Sequence, residues 1–118
     1  MKYRVILTKQ VEEFIHGLLP KLEAKTLRVI QLLRECGYEL KEPHAKTLQN
    51  AEGLKELRAQ AGNDICWLFF FHFKGVVYII TSGYVKKQQK TDKREIDRAL
   101  RLMHDFLKEY GDNEADKL

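Results

Sequence analysis

Hydrophobic positions follow two different periods along this chain, and the change of period predicts where helices and strands lie. Apolar residues recur at helical spacing in three stretches. These stretches predict a helix from about Val11, a second that begins near Pro20 and ends at Gly37, and a third capped by Asp92 or Thr91. Because the first two helices are adjacent, we expect a helix hairpin that covers one face of a sheet.

Strands are predicted where apolar and polar residues alternate or where β-prone residues cluster. A short run at residues 3–7 and three longer runs at 54–59, 65–73 and 76–84 fit this description, and the segments between the last three are turn sequences. The intervening segment 38–53 has no sustained period, so we expect a loop there. The middle strand of this meander is apolar on both sides, which indicates that both faces of the sheet are covered.

Together these elements predict an α+β fold. We expect a small antiparallel sheet, made of the N-terminal strand and the three-strand meander, packed against the N-terminal helix hairpin and the C-terminal helix. The length of 118 residues fits one domain, which we place at residues 1–110, followed by a polar tail at 111–118.

Strand alternation also predicts which side chains meet. It places Glu56 and Arg58 on one face of the first meander strand. It places four residues of the last strand in register on one side, namely Tyr78, Ile80, Ser82 and Tyr84. We therefore expect Arg58 and Tyr84 to share a surface, although ordinary solvent exposure of Glu56 and Arg58 fits the spacing equally well.

Composition excludes several classes of protein. No apolar run approaches the roughly 20 residues of a membrane span, and no signal peptide is evident, so we expect a cytoplasmic protein without membrane contact. Cys36 and Cys66 form no CxxC motif and the four histidines lack ligand spacing, so we expect buried reduced thiols, no metal and no small-molecule cofactor. Phosphate-loop and nucleophile motifs are also missing.

The positive charge is concentrated near the end of the last strand. Net charge is +4, and residues 86–101 hold seven basic against three acidic side chains. Candidate phosphate-binding cations lie at strand ends and in the loop, with Tyr84 among them: Lys46, Lys55, Arg58, Lys86, Lys87 and Lys90. The interleaved acidic residues also fit a solvated helix face, and both interpretations stay open.

Two motifs in a fixed order carry a family resemblance. They are Gly53-Leu54-Lys55-Glu56-Leu57-Arg58 and Gly83-Tyr84-Val85-Lys86-Lys87-Gln88-Gln89-Lys90-Thr91, with the order strand, two helices, meander, helix around them. In these features the chain resembles the RelE/ParE superfamily, and more narrowly its phage-derived, HigB-like toxin branch, over about residues 3–109.

The resemblance implies a toxin of a type II toxin-antitoxin system. Such a toxin is a metal-independent endoribonuclease that cuts mRNA on the ribosome, by attack of a ribose 2′-hydroxyl on the adjacent phosphate. Its antitoxin is usually a helix-turn-helix DNA-binding protein of the HigA-like kind.

Carried over position by position, the resemblance implies roles for individual residues. Arg58 and Lys86 or Lys87 would neutralise the phosphate, and Tyr84 would orient the nucleotide or move a proton, which makes these four the catalytic candidates. The RNA-binding candidates are Lys46, Lys55 and Lys90.

One position departs from the family pattern. Cys66 stands where many relatives carry an arginine, and a thiol cannot replace that charge. Two alternatives to an active nuclease therefore stay open. One is a non-cleaving, ParE-like toxin that acts on DNA gyrase, and the other is a degenerate toxin that only binds an antitoxin.

Overall fold

The computed structural model describes residues 2–86 and 92–112, and within them the chain forms a five-stranded sheet with three helices. The strands are β1 (Arg4–Leu7), β2 (Ala45–Thr47), β3 (Lys55–Ala61), β4 (Asp64–His72) and β5 (Val77–Lys86). The helices are α1 (Lys9–His16), α2 (Pro20–Cys36) and α3 (Lys93–Tyr110), and one 3₁₀ turn follows α2 at Gly37–Glu39. The predicted α+β class is confirmed.

The sheet differs from the prediction in two details. Its strand order is β1-β5-β4-β3-β2, and β1 runs parallel to β5, so the sheet is mixed and not wholly antiparallel. The segment expected to be a loop contains the edge strand β2, which pairs with β3 through three residues. A bond from the N–H of Arg58 to the carbonyl of His44 extends that pairing. Such a short strand leaves no periodic signal in the sequence because its partner strand, not its own pattern, defines it.

The helix ends follow from local capping chemistry. Thr8 caps α1 with its hydroxyl, and Pro20 occupies the first turn of α2, where a missing N–H costs nothing. Asp92 caps α3 by accepting the backbone N–H of Arg94 at 2.9 Å, which confirms Asp92 as one of the two predicted caps. Thr91, the other, lies outside the described residues.

Both faces of the sheet are covered, as the apolar middle strand predicted. Helices α1 and α2 pack on one face over the side chains of Leu57, Cys66, Leu68, Phe70 and Ile80. Helix α3 packs on the other face over those of Phe69, Phe71, Val77 and Ile79. We call these the hairpin face and the α3 face. Among the described helices, none is both long and apolar enough to cross a membrane.

A β-bulge in β5 decides which of its side chains reach each face. Phe70 of β4 pairs with Ile80, and the preceding Phe69 pairs with Ser82, so Thr81 is an extra residue in β5. A bulge of this kind shifts the alternation by one residue. Every later side chain of β5 therefore points to the face opposite to the one that uninterrupted alternation would give it.

The bulge separates Tyr78 from Tyr84. Tyr78 packs on the hairpin face, whereas Tyr84 packs on the α3 face against Phe69. The prediction that Tyr78, Ile80, Ser82 and Tyr84 share one side is therefore wrong, because uninterrupted alternation was assumed through Thr81. Gly83, within the same segment, has no room for a side chain, since an added Cβ would lie 2.6 Å from Leu68 and 2.8 Å from Phe14.

Candidate functional site

A cleft of about 790 Å³ opens on the α3 face, beside the edge strand β2. One wall is the segment 42–49, which includes Lys46. The opposite side is formed by Glu56, Arg58, Trp67 and Ile96. The cleft therefore lies between a strand that the sequence did not reveal and the strand that carries the predicted Arg58.

Arg58 lies over an aromatic surface formed by neighbouring strands. Its guanidinium carbon is 5.9 Å from the ring centroid of Trp67, and Trp67 is stacked against Tyr84 at 6.4 Å with an interplanar angle of 16°. The register explains this arrangement, because Arg58 pairs with Trp67 across β3 and β4, and Trp67 pairs with Tyr84 across β4 and β5. The expectation that Arg58 and Tyr84 share a surface is confirmed.

Hydrogen bonds help to orient the Arg58 guanidinium. Its Nη2 donates to Oε1 of Gln60 at 2.7 Å, and Nε2 of Gln60 in turn donates to the carbonyl of Gly62 at 3.0 Å. A planar cation on an aromatic face, with several donors in a fixed fork, has the geometry that binds phosphate oxygens in pairs. Arg58 is therefore the cation of the cleft best arranged for a phosphodiester.

Asp92, at the start of α3, forms hydrogen bonds with two of the predicted site residues, Lys86 and Tyr84. Nζ of Lys86 donates to Oδ2 of Asp92 at 2.8 Å, and the Tyr84 hydroxyl accepts the backbone N–H of Asp92 at 3.0 Å. The hydrogen bond from Lys86, supported by those from Arg94, holds the pKa of the Asp92 carboxyl well below its usual range. Asp92 is thus a carboxylate at neutral pH, and it neutralises part of the charge that Lys86 presents.

Tyr84 remains a neutral phenol in this environment. Partial burial raises the pKa of Tyr84, and the negative charges of Glu56, Asp92 and Glu95 act in the same direction, although the hydrogen bond to Asp92 opposes them. The raised pKa keeps the proton on the phenol, and since the hydrogen bond from Asp92 is accepted by the oxygen, this proton is available for donation. The arrangement suits a hydrogen-bond donor or proton donor more than a base.

Glu56 and Trp67, which line the cleft beside Arg58, were not predicted as site residues. Glu56 is only 3% exposed, so the interpretation of Glu56 as an ordinary solvent-facing residue is wrong. Trp67 is equally buried, and its Nε1 has no hydrogen-bond partner among the described residues. Alternation does place Trp67 on the same face of the predicted middle strand as Phe69 and Phe71, but its position beneath Arg58 depends on the register of β3 and β4.

The structure brings together some of the predicted cations and separates others. Arg58 and Lys46 line the cleft, and Lys86 lies with Tyr84 near the start of α3. Lys55 lies in β3 on the face of the strand opposite to Arg58. It borders a second cavity of about 350 Å³ on the other side of β2. Lys87 and Lys90 lie outside the described residues, as does most of the predicted tail 111–118.

Cys66 points away from the cleft. It is 1% exposed and packs on the hairpin face with Leu68 and Phe70, and burial raises the pKa of its thiol to about 11. The side chain that replaces the relatives' arginine therefore belongs to the core beneath α2. Cys36 is a free thiol like Cys66 but is only half-buried, so the expectation that both cysteines are buried holds for Cys66 alone.

The histidines contribute no cluster to the site. All four are exposed. Within residues 2–86 and 92–112, no group of three or more His, Cys, Asp or Glu side chains is arranged to hold a metal ion.

Solved structures with the same fold define the class of protein. The archaeal RelE-RelB complex from Pyrococcus horikoshii OT3 contains a chain of 22% identity that matches with a TM-score of 0.53, over 76% of this chain and 100% of that chain. A double arginine-to-alanine variant of E. coli toxin RelE in the free state, 12% identical, matches with a TM-score of 0.61 over 86% of this chain and 96% of that chain. The fold is that of RelE proteins.

The family model narrows this class. The chain belongs to the family "Phage derived protein Gp49-like (DUF891)", whose model matches residues 13–104. A search of curated proteins finds no significant match. The family and the fold together confirm the expected assignment to the RelE-like superfamily.

Proposed function

We propose that this protein is the toxin of a toxin-antitoxin pair and that it cleaves messenger RNA on the ribosome. The observation that carries the proposal is the position of Arg58, stacked over Trp67 in a cleft that Lys46 also lines, on a RelE-like fold. An oriented guanidinium in the same cleft as Lys46 matches the charge and planarity of an RNA phosphate with its flanking nucleotide.

The proposed reaction is attack of a ribose 2′-hydroxyl on the adjacent phosphate: the hydroxyl gives its proton to water, a 2′,3′-cyclic phosphate forms, and the 5′-oxygen of the next nucleotide departs and takes up a proton. Arg58 neutralises the charge that develops on the phosphate, and Lys46 contacts the RNA backbone. Tyr84, which keeps its proton at neutral pH, donates a hydrogen bond or a proton within the same site. Lys86 or Lys87 supplies further positive charge, and Lys90 binds RNA beyond the last strand.

The proposed partner is a helix-turn-helix antitoxin of the HigA-like kind. One structural relative is a complex of RelE with RelB, which supports an antitoxin for this chain as well. The family's phage-derived description supports the narrower placement in the HigB-like branch.

A second candidate is a member of the same superfamily that binds without cleaving. The observation that favours it is the pair of carboxylates near the proposed phosphate position: Glu56 is buried in the cleft wall, and Asp92 neutralises part of the charge of Lys86. Such a protein would act through protein contact, on DNA gyrase or on an antitoxin alone.

An induction experiment separates these candidates. The protein is expressed in cells that lack the antitoxin, and RNA 5′ ends are mapped alongside growth, with Arg58→Ala as the inactive variant. Lys25→Ala removes an exposed charge of α2 that lines neither cavity, and it serves as the matched control. New RNA 5′ ends within translated messages that appear with the wild type but not with Arg58→Ala support the nuclease. DNA damage with intact mRNA indicates gyrase, and normal growth contradicts toxicity.

A further inference from the structure

The cavity on the other side of β2 has the composition of a nucleic-acid surface. It is lined by Lys41, Lys46 and Lys55 together with Tyr38, and it encloses about 350 Å³. Tyr38 is 65% exposed, although its ring is one of the larger apolar groups of the chain. A single exposed tyrosine is common in proteins, but one placed beside three lysines at an open cavity offers both stacking and charge.

This cavity lies next to the cleft that contains Arg58. Both are lined by Glu42, Ala45, Lys46 and Thr47, so the short strand β2 forms the ridge between them. Lys46 pairs with Glu56 across the strands and therefore lies on the α3 side of that ridge, whereas Thr47 pairs with Lys55 on the other side. A chain that leaves the cleft next to Lys46 meets Lys55 and Tyr38 directly beyond β2.

We propose that the Tyr38 cavity is a subsite for the single-stranded RNA that flanks the cleavage position. The proposal rests on the function proposed above and adds a second place of contact to it. One base stacks on the Tyr38 ring, and Lys41 and Lys55 bind the phosphates on either side of it. The 3₁₀ turn at Gly37–Glu39 holds Tyr38 at the rim, with the N–H of Leu40 donating to the carbonyl of Gly37 at 3.1 Å.

The exposed ring of Tyr38 favours RNA over an acidic protein as the occupant. The lining contributes three lysines against the single carboxylate of Glu42, which suits a polyanion of either kind. The exposed aromatic ring decides between them, because every base has a face that stacks on it, whereas carboxylate side chains gain nothing from a ring. Because the cavity and the cleft share the residues of β2, one RNA chain that crosses this strand reaches both places.

The test compares short and long RNA in a direct binding measurement with the full chain. The probes are fluorescein-labelled oligonucleotides with 2′-O-methyl riboses, which cannot undergo 2′-hydroxyl attack: a trinucleotide that fits the cleft alone and an octanucleotide that extends past β2. Tyr38→Ala is expected to weaken binding of the octanucleotide about tenfold and to leave the trinucleotide unchanged, since one stacked base contributes that order of affinity. Tyr38→Phe keeps the ring and is expected to match the wild type.

The lysines are tested through salt dependence. The double variant Lys41→Ala, Lys55→Ala is expected to lower the slope of log K against log salt for the octanucleotide by about 1.4, from about 0.7 for each phosphate contact on a single strand. Lys25→Ala, the matched control on α2, is expected to leave that slope unchanged. Thermal unfolding of each variant confirms that it folds.

The outcomes distinguish this subsite from the proposed function itself. If Tyr38→Ala binds the octanucleotide as tightly as the wild type does, the proposed subsite is refuted and the function proposed for the cleft is unaffected. Equal weakening of both oligonucleotides also overturns it, because Tyr38 would then act on the cleft. If a polyglutamate peptide binds with the same dependence on Tyr38, the cavity belongs to an acidic protein surface. If the wild-type protein binds neither oligonucleotide, the subsite is refuted, whereas the proposed cleavage on the ribosome is decided separately by the induction experiment.

Discussion

Nζ of Lys86 lies 2.8 Å from Oδ2 of Asp92, and the other carboxylate oxygen of Asp92 caps α3. The last cation of β5 is therefore tied to the start of the C-terminal helix. A phosphate that approaches Lys86 competes with this carboxylate, which is ionised at neutral pH because its pKa is lowered. The pair links the stability of the helix start to the charge available for RNA.

The first prediction follows from this competition. Asp92→Asn is expected to tighten RNA binding and to steepen its salt dependence by about 0.7 in log-log slope, because Lys86 becomes available for one more phosphate. Thermal stability should fall only slightly, since asparagine caps helices as well as aspartate does. Fluorescence anisotropy over a range of salt concentrations measures both quantities. Asp105→Asn removes an equal charge at an exposed position of α3, and an equal effect of the two variants would contradict the pairing.

The second prediction concerns Arg58. Arg58→Ala is expected to slow cleavage of ribosome-bound mRNA by about 10²-fold to 10³-fold, the usual cost of losing a charge partner of the transition state. The cleavage rate of Arg58→Lys should lie between those of the wild type and Arg58→Ala, because lysine keeps the charge but lacks the planar fork that lies over Trp67. Single-turnover cleavage on programmed ribosomes gives the rates, and melting temperatures should hardly change. Wild-type cleavage by Arg58→Ala would refute the assignment of the site.

Sequence periodicity predicted most of the elements because long helices and strands repeat their pattern many times. The apolar stripe of α3 and the buried run of β4 each extend over several repeats. Strand β2 has only three residues, and the parallel pairing of β1 with β5 joins segments that are far apart in the sequence. Neither feature is encoded in a local pattern, so neither was predicted.

The site was predicted only in part, because strand pairing, like β2, leaves no local pattern in the sequence. Arg58 and Tyr84 were identified together by the family motifs, but the residues between and beside them depend on the register of the sheet. Trp67 lies beneath Arg58 because of strand pairing, and the bulge at Thr81 is what turns Tyr84 toward the α3 face. One inserted residue reverses the alternation and leaves no mark in composition.

The third prediction uses the burial of Cys66. Cys66→Arg is expected to lower the free energy of unfolding by more than about 4 kcal/mol and to give no gain in cleavage, because it forces an unpaired charge into the core under α2. Cys66→Ala, which removes the thiol without adding charge, should cost far less and serves as the control. Urea unfolding measures both. A stable Cys66→Arg protein that cleaves faster than the wild type would show that this position faces the RNA.

The fourth prediction concerns the reactivity of the same thiol. Since burial raises the pKa of Cys66 to about 11, the neutral thiol is the native form, and iodoacetamide should modify Cys66 at pH 8 much more slowly than the half-buried Cys36. The raised pKa stabilises the fold below the unfolded thiol's pKa of about 8.5, and this contribution is lost as pH rises toward 11. Mass spectrometry of the labelled peptides gives the two rates, and equal rates would contradict the burial.

The last prediction separates two roles of Tyr84. Tyr84→Phe leaves the backbone N–H of Asp92 without its acceptor, so the free energy of unfolding should fall by about 1 kcal/mol. Cleavage should slow at every pH, because the variant lacks the phenolic hydroxyl that donates a hydrogen bond or a proton. The raised pKa of Tyr84 keeps the wild-type phenol protonated up to about pH 10, so both proteins should show the same pH dependence below that value. Rates measured from pH 6 to about pH 9.5 on programmed ribosomes test this. If the wild type instead loses activity with an apparent pKa below 9, and the loss is missing from Tyr84→Phe, then the phenol ionises more readily than its surroundings allow and the assignment of Tyr84 as a neutral donor is wrong.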